Sequence, residues 1–256
     1  MVENRRNRSP RQAGAGSRRG AVRPRDRLIV ALDTSDRREV RRLLKALRGK
    51  VGLFKVGLQI FSAHGPAIVR EIVEKGDRVF LDLKLHDIPN TVAHAVAEGA
   101  RLGVSLMTLH VPGGEAMMRA AAEAASRTRP PSARPRLVGV TVLTSLDAPA
   151  LAAVGIQEPL PNLAVRLAVL ARSSGLDGVV ASGREVEAIK AACGTSFLAV
   201  VPGIRPSGEG LNDQKRATTP SEALAAGADY IVVGRPITAA KDPAAAADSI
   251  LKEIGG

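Results

Sequence analysis

Two carboxylates and an ammonium fall within six positions of one another in residues 79–91, VFLDLKLHDIPNT: Asp82, Lys84 and Asp87. The run VFLDLKL reads as a strand whose polar residues gather near its end. Side chains two apart in a strand project from one face, so Asp82 and Lys84 point together. Asp87 follows where the strand should stop, Pro89 forbids a simple continuation of the ladder, and Asn90 offers an N-cap to the helix beyond. Charges crowded at the mouth of an apolar strand are costly to desolvate unless they pair, and such groups in a cleft perform acid–base or electrostatic chemistry. The same D-x-K-x-x-D pattern also fits an ordinary surface ion pair at a strand end, so the surrounding elements must decide.

From residue 28 onward, short apolar runs alternate with longer amphipathic segments. Strands are predicted at 28–32, 53–57, 79–84, 105–110, 137–143, 178–181, 197–201 and 230–234. Helical periodicity lies between them at 37–47, 66–75, 91–102, 115–126, 162–174, 185–192, 221–226 and 243–254. Strands alternating with helices imply parallel pairing through right-handed crossovers. Eight such units predict an α/β protein with one catalytic domain, a closed (β/α)8 TIM barrel over residues 28–256. A doubly wound sheet is the alternative, but no G-x-G-x-x-G follows the first strand. The low-complexity connection RTRPPSARPR, residues 127–136, precedes the fifth strand, on the face of a barrel associated with stability.

In a barrel the C-terminal ends of the strands converge on one site. Those ends carry Asp33, Lys55, Asp82 with Lys84, His110, Thr144, the run PGIR ending at Arg205, and Gly234 with Arg235. In VVGRP, glycine lets backbone approach a ligand, Pro236 suits a first helical turn, and Arg235 can contact an anion bidentately. Loops after strands seven and eight are the common phosphate site of such barrels. Residues 204–220, IRPSGEGLNDQKRATTP, form a long polar loop from which Gln214 could reach a ligand. Composition leaves a closing lid and a disordered surface segment equally open. The four histidines show no metal spacing, and His110 reads as a core histidine. No Ser-His-Asp or Cys-His set falls at one mouth.

The composition, 45% hydrophobic and 24% charged over 256 residues, suits a globular core, and with 2% aromatics and no Trp that core must be aliphatic. The single cysteine, Cys193, excludes an internal disulfide and a cysteine-based zinc site, in keeping with a cytoplasmic setting. No apolar run is long enough to span a bilayer, and no signal peptide is visible. Of the net charge of +12, residues 1–27 supply +7, from nine Arg against Glu3 and Asp26. That stretch is nearly devoid of large apolar residues and is expected to be a disordered Arg-rich extension. It has no aromatics for base stacking, so specific nucleic-acid binding is not expected.

Seven collinear motifs resemble the orotidine 5'-phosphate decarboxylases over almost all of the chain beyond the basic extension. They are ALD (31–33), FKVG (54–57), DLKLHDIPNT (82–91), TVLTSL (141–146), PGIRP (202–206), DQKR (213–216) and VGRPIT (233–238). The resemblance implies cofactor-free and metal-free decarboxylation of orotidine 5'-phosphate to UMP, the last step of pyrimidine synthesis. Lys55, Asp82, Lys84 and Asp87 resemble the family's charged tetrad, with Lys84 delivering the proton to C6. Asp33 and Lys55 match its ribose ligands, Thr144 its contact from strand five, and Gln214 its lid residue. Arg205, Gly234 and Arg235 match the phosphate end. Asp87, Ile88 and Thr91 are expected to cross into a neighbouring subunit's site, which implies a homodimer.

Two rivals remain at this stage. Keto-gulonate phosphate decarboxylases and hexulose phosphate synthases share the D-x-K-x-x-D strand but hold Mg2+ partly through an acid where this chain has Lys55, and a cation there opposes a divalent metal. A non-catalytic polyanion-binding protein would instead depend on the Arg-rich extension.

Overall fold

The computed structural model describes residues 22–206 and 218–255. Eight parallel strands close on themselves in chain order: β1 (Leu28–Ala31), β2 (Leu53–Gly57), β3 (Val79–Leu85), β4 (Leu106–His110), β5 (Arg136–Val140), β6 (Gly178–Val180), β7 (Leu198–Val201) and β8 (Tyr230–Val233). β1 pairs with both β2 and β8, so the sheet has no free edge. The closed (β/α)8 architecture predicted from the alternation is therefore the one adopted.

The strands read as unbroken apolar runs because both of their faces are buried. Successive residues divide between two layers. Ile29, Ala31, Phe80, Val138, Val200 and Val232 fill the barrel. Leu28, Val30, Leu81, Val201 and Val233 face outward beneath the helices. The two fully buried phenylalanines split likewise, Phe80 inside and Phe54 outside.

Helices Arg37–Leu47, Pro66–Val73, Pro89–Arg101, Glu115–Ser126, Leu160–Ser173, Val186–Cys193, Pro220–Ala225 and Pro243–Gly255 follow the eight strands. Shorter helices at Leu58–His64 and Ala148–Ala153 were not foreseen; each buries a single residue, Ile60 or Leu151, so neither has an apolar stripe to read. The short helix Arg235–Thr238 carries Pro236 in its first turn, as VVGRP suggested. None of the helices among the described residues is long and apolar enough to cross a membrane. Burial raises the thiol pKa of Cys193 above its ordinary value.

Three details correct the sequence reading. The helix after β3 begins at Pro89 with Ile88 as its N-cap, not Asn90; proline lacks an N–H that the first turn would leave unpaired anyway. β5 ends at Val140 rather than residue 143, because its partner β6 is only three residues long. Thr141 marks the end by sending both its N–H and its hydroxyl to the Val180 carbonyl. Finally, Pro24–Arg27, inside the expected extension, form a helical turn, and Arg25 donates to the Gly49 carbonyl at 3.0 Å. Residues 1–21 of that extension lie outside the described residues.

An ionic knot joins the first two long helices. The Glu71 carboxylate accepts from Arg37 Nε and Arg41 Nε, each at 2.7 Å, and from Lys75 Nζ at 3.2 Å. Hydrogen bonding from Arg41, helped by Arg37 and Lys75, lowers its pKa to about 2. A carboxyl depressed in the folded state stabilises above its unfolded pKa and loses that contribution as pH falls through the folded one. Glu71→Gln is therefore expected to lower Tm at pH 7 by about 2–4 °C. In calorimetry the gap between variant and parent should close as pH falls from about 4.3 toward about 2; a gap constant over that window would refute the assignment.

Candidate active site

At the C-terminal ends of the strands lies a cavity of about 440 Å³. Its floor is the apolar barrel interior, with Phe80, Val140, Val180, Val200 and Val232 exposed to the cavity. Its wall is polar and charged, formed by Asp33, Lys55, Asp82, Lys84, Thr144, Arg205 and Arg235. The cavity thus has a cationic end distant in sequence from the acid–amine cluster, and an apolar base on which a flat ring could lie.

The cluster is an alternating row of charges. Asp33 Oδ1 accepts from Lys55 Nζ at 2.9 Å, and Lys55 Nζ lies 3.6 Å from Asp82 Oδ2. Lys84 Nζ is 3.0 and 2.9 Å from the two Asp82 oxygens. Asp82 is 7% exposed. A carboxylate this buried is stable only when its lone pairs are met, and here two ammoniums and a hydroxyl meet them. The hydroxyl belongs to Thr108 on β4, which donates to Asp82 Oδ1 at 2.9 Å. Sequence reasoning missed Thr108. The available signal was that it is the one hydroxyl within the apolar run LMTLH, two residues before the strand end.

Lys84 reaches Asp82 by a route the alternation argument did not foresee. Its φ is +52°, the one positive value of a non-glycine among the described residues. The β3–β4 register shifts between Leu81 and Leu85, so the strand continues past a local irregularity centred on the lysine. The Lys84 N–H donates to Thr108 Oγ1 at 2.8 Å. Gly57, at the end of β2, keeps the row compact: a Cβ there would stand 3.0 Å from Lys55 Nζ.

Asp87 stands apart from this row within the single chain. It is exposed, joins no ion pair among the described residues, and accepts from the Ile88 N–H at 2.6 Å. Ile88 is 66% exposed and Thr91 is exposed beside it on the following helix. At the cationic end, Arg205 is buried and one guanidinium N–H meets the Ile204 carbonyl at 3.0 Å. Gly234 caps the short helix that begins at Arg235. A Cβ on Gly234 would meet protein atoms only at 3.8 Å, so its backbone is open toward the cavity. Gln214 lies outside the described residues. Among the described residues no group of three or more His, Cys, Asp and Glu is arranged to hold a metal ion.

The sequence matches the family described as "Orotidine 5'-phosphate decarboxylase / HUMPS family" over residues 26–250. It is 53% identical over 230 residues to the orotidine 5'-phosphate decarboxylase of Geobacter sulfurreducens, covering 90% of this chain and 96% of that one. The orotidine 5'-phosphate decarboxylase of Moorella thermoacetica is 53% identical over 235 residues, with 90% and 92% covered. The crystal structure of orotidine 5'-phosphate decarboxylase from Lactobacillus acidophilus is similar with a TM-score of 0.80 at 36% identity, covering 90% of this chain and 99% of that one.

His110, at the end of β4, stacks on His86 with ring centroids 5.4 Å apart. Burial lowers its pKa first, and the neighbouring charges of His86 and Lys84 add to that against the opposing pull of Asp82. His110 is therefore expected to titrate below about 6.5 by NMR, and His86→Gln to raise its midpoint part of the way back. A midpoint at or above the free-histidine value would contradict this packing.

Proposed function

The chain belongs to the orotidine 5'-phosphate decarboxylase / HUMPS family and decarboxylates orotidine 5'-phosphate to UMP in pyrimidine biosynthesis, and we propose that Lys84, held by Asp82, carries the chemistry. The observation that carries this reading is the ammonium of Lys84 within 3.0 Å of both Asp82 oxygens at the edge of an apolar-floored cavity.

When the bond between C6 and the carboxylate breaks, CO2 leaves and its electron pair stays on C6. That pair occupies an in-plane orbital orthogonal to the ring π-system, so the ring cannot absorb it. A fixed ammonium meets the developing charge electrostatically, at no cost in reorganisation. Lys84 then gives a proton to C6, which yields UMP, and recovers one from solvent. Asp82 has two roles: its two oxygens hold the Lys84 ammonium in place, and its charge opposes the substrate carboxylate until CO2 departs.

The remaining roles follow the same chemistry. Lys55 and Asp33 are the donors and acceptors for the ribose hydroxyls, and Thr144 contacts the ligand from beyond β5. Arg205, Arg235 and the open backbone at Gly234 take the phosphate. Gln214, which lies outside the described residues, is the residue assigned to the phosphate and base. Binding energy at the phosphate end can be spent on desolvation of the reacting carbon. The Lys55 ammonium, 3.6 Å from Asp82 Oδ2, disfavours a divalent cation there, so the mechanism is metal- and cofactor-free, unlike the Mg2+-dependent branch.

The working unit is a homodimer in the cytoplasm, with Asp87, Ile88 and Thr91 of each chain reaching the neighbouring cavity. The exposure of Ile88 and the absence of any pairing of Asp87 with Lys84 in its own chain support this. Asp87 would then complete the carboxylate cage of the partner's lysine.

Two experiments test the reading. Turnover of orotidine 5'-phosphate, followed by absorbance, should survive EDTA, and Lys84→Ala should lose several powers of ten in rate, each about 1.4 kcal/mol of barrier; a chelator-sensitive rate would reject the metal-free mechanism. Mixing Lys84→Ala chains with Asp87→Asn chains should restore about a quarter of the parental activity, because each mixed pair owns one intact site. No recovery on mixing would return Asp87 to its own chain.

A further inference from the structure

We propose that Thr108 is a positioning residue for the decarboxylation, its one hydroxyl setting both the Asp82 carboxylate and the backbone of Lys84. The proposal rests on the decarboxylase reading of the site. A backbone N–H can only donate, so in the 2.8 Å contact with Lys84 N the hydroxyl accepts. Its proton is then left for Asp82 Oδ1 at 2.9 Å. The hydroxyl therefore joins the two halves of the acid–amine pair through opposite ends of one dipole. Thr108 is 1% exposed, so water does not substitute for it.

The need for such a brace comes from the backbone. Lys84 sits at φ +52°, a conformation that is strained for a residue bearing a β-carbon. The register shift between Leu81 and Leu85 takes the lysine out of the regular β3–β4 ladder. The Thr108 hydroxyl supplies the acceptor its N–H would otherwise lack. Holding that N–H and one Asp82 oxygen fixes the start of the lysine side chain and the anchor of its end. The Nζ then has little freedom about the line joining them.

Thr108→Val keeps the branched shape while removing both hydrogen bonds. It should lower kcat by about a hundredfold, the typical cost of a misplacement near 1 Å, with the affinity for UMP held within about threefold. Thr108→Ser, which retains the hydroxyl, should stay within about threefold of the parent in kcat. A parental kcat in Thr108→Val, or an equal loss in Thr108→Ser, would overturn the proposal. Should Thr108→Val fail to fold, Thr108→Ser and Thr108→Ala carry the test: both lose the methyl, and only Ala loses the hydroxyl, so equal rates in the two would overturn it. A crystal structure of the hydroxyl-free variant should show Lys84 out of the left-handed region, and an unmoved lysine would count against the brace. Failure of the parent itself to turn over orotidine 5'-phosphate would reject the decarboxylase reading instead, with the structural comparison still deciding the brace.

Discussion

The burial of one carboxylate, Asp82, between two ammoniums governs how this protein is built. A lone charge in that position would be driven to neutrality by desolvation. Flanked by Lys84 at 2.9 Å and Lys55 at 3.6 Å, with Asp33 beyond Lys55, it becomes part of a row whose formal charges cancel. Such a row is stable without a ligand and responsive to one. In the proposed reaction a substrate carboxylate beside Asp82 unbalances it, and after CO2 leaves the negative charge lies on C6, facing the Lys84 ammonium.

The row demands a scaffold that delivers side chains from three separate strands to within a few ångströms. A closed parallel barrel does so because every strand ends at the same rim. β1, β2 and β3 are consecutive neighbours, so Asp33, Lys55 and Asp82 are brought together by the ladder itself. The last adjustment is made by irregularity rather than regularity. A left-handed Lys84 and a shifted register bend the end of β3, and strain of this kind persists only where its surroundings over-determine it.

The opposite ends of the strands use the same residue types for another purpose. Asp77, Asp177 and Asp229 each precede a strand, and each is met by a cation: Arg48, Arg134 and Lys190. Asp177 also accepts the Leu137 N–H and Asp229 the Ala199 N–H, so these carboxylates pin strand starts to their neighbours. Acid–base pairs at that end hold the barrel in register, whereas those at the other end open onto a cavity. Stability and chemistry are thereby separated along the axis of one sheet.

The alternation of apolar runs and amphipathic segments determined the eight strands, the eight principal helices and the closed barrel, because both signals are local periodicities written directly in residue order. The strand-end rule likewise made Asp33, Lys55, Asp82, Lys84, Thr144, Arg205, Gly234 and Arg235 legible as residues of one cavity, though it also named His110, which does not line it. Three features waited for the tertiary structure. Thr108 acts through a cross-strand contact whose register depends on a bulge, and no periodicity encodes a bulge. The left-handed Lys84 is a backbone choice imposed by packing on a residue with no intrinsic preference for it. The exposure of Asp87 and Ile88 outside their own chain's cavity depends on where β3 turns into the next helix. Sequence order names which residues share a rim, but only the packed backbone decides the direction in which each points.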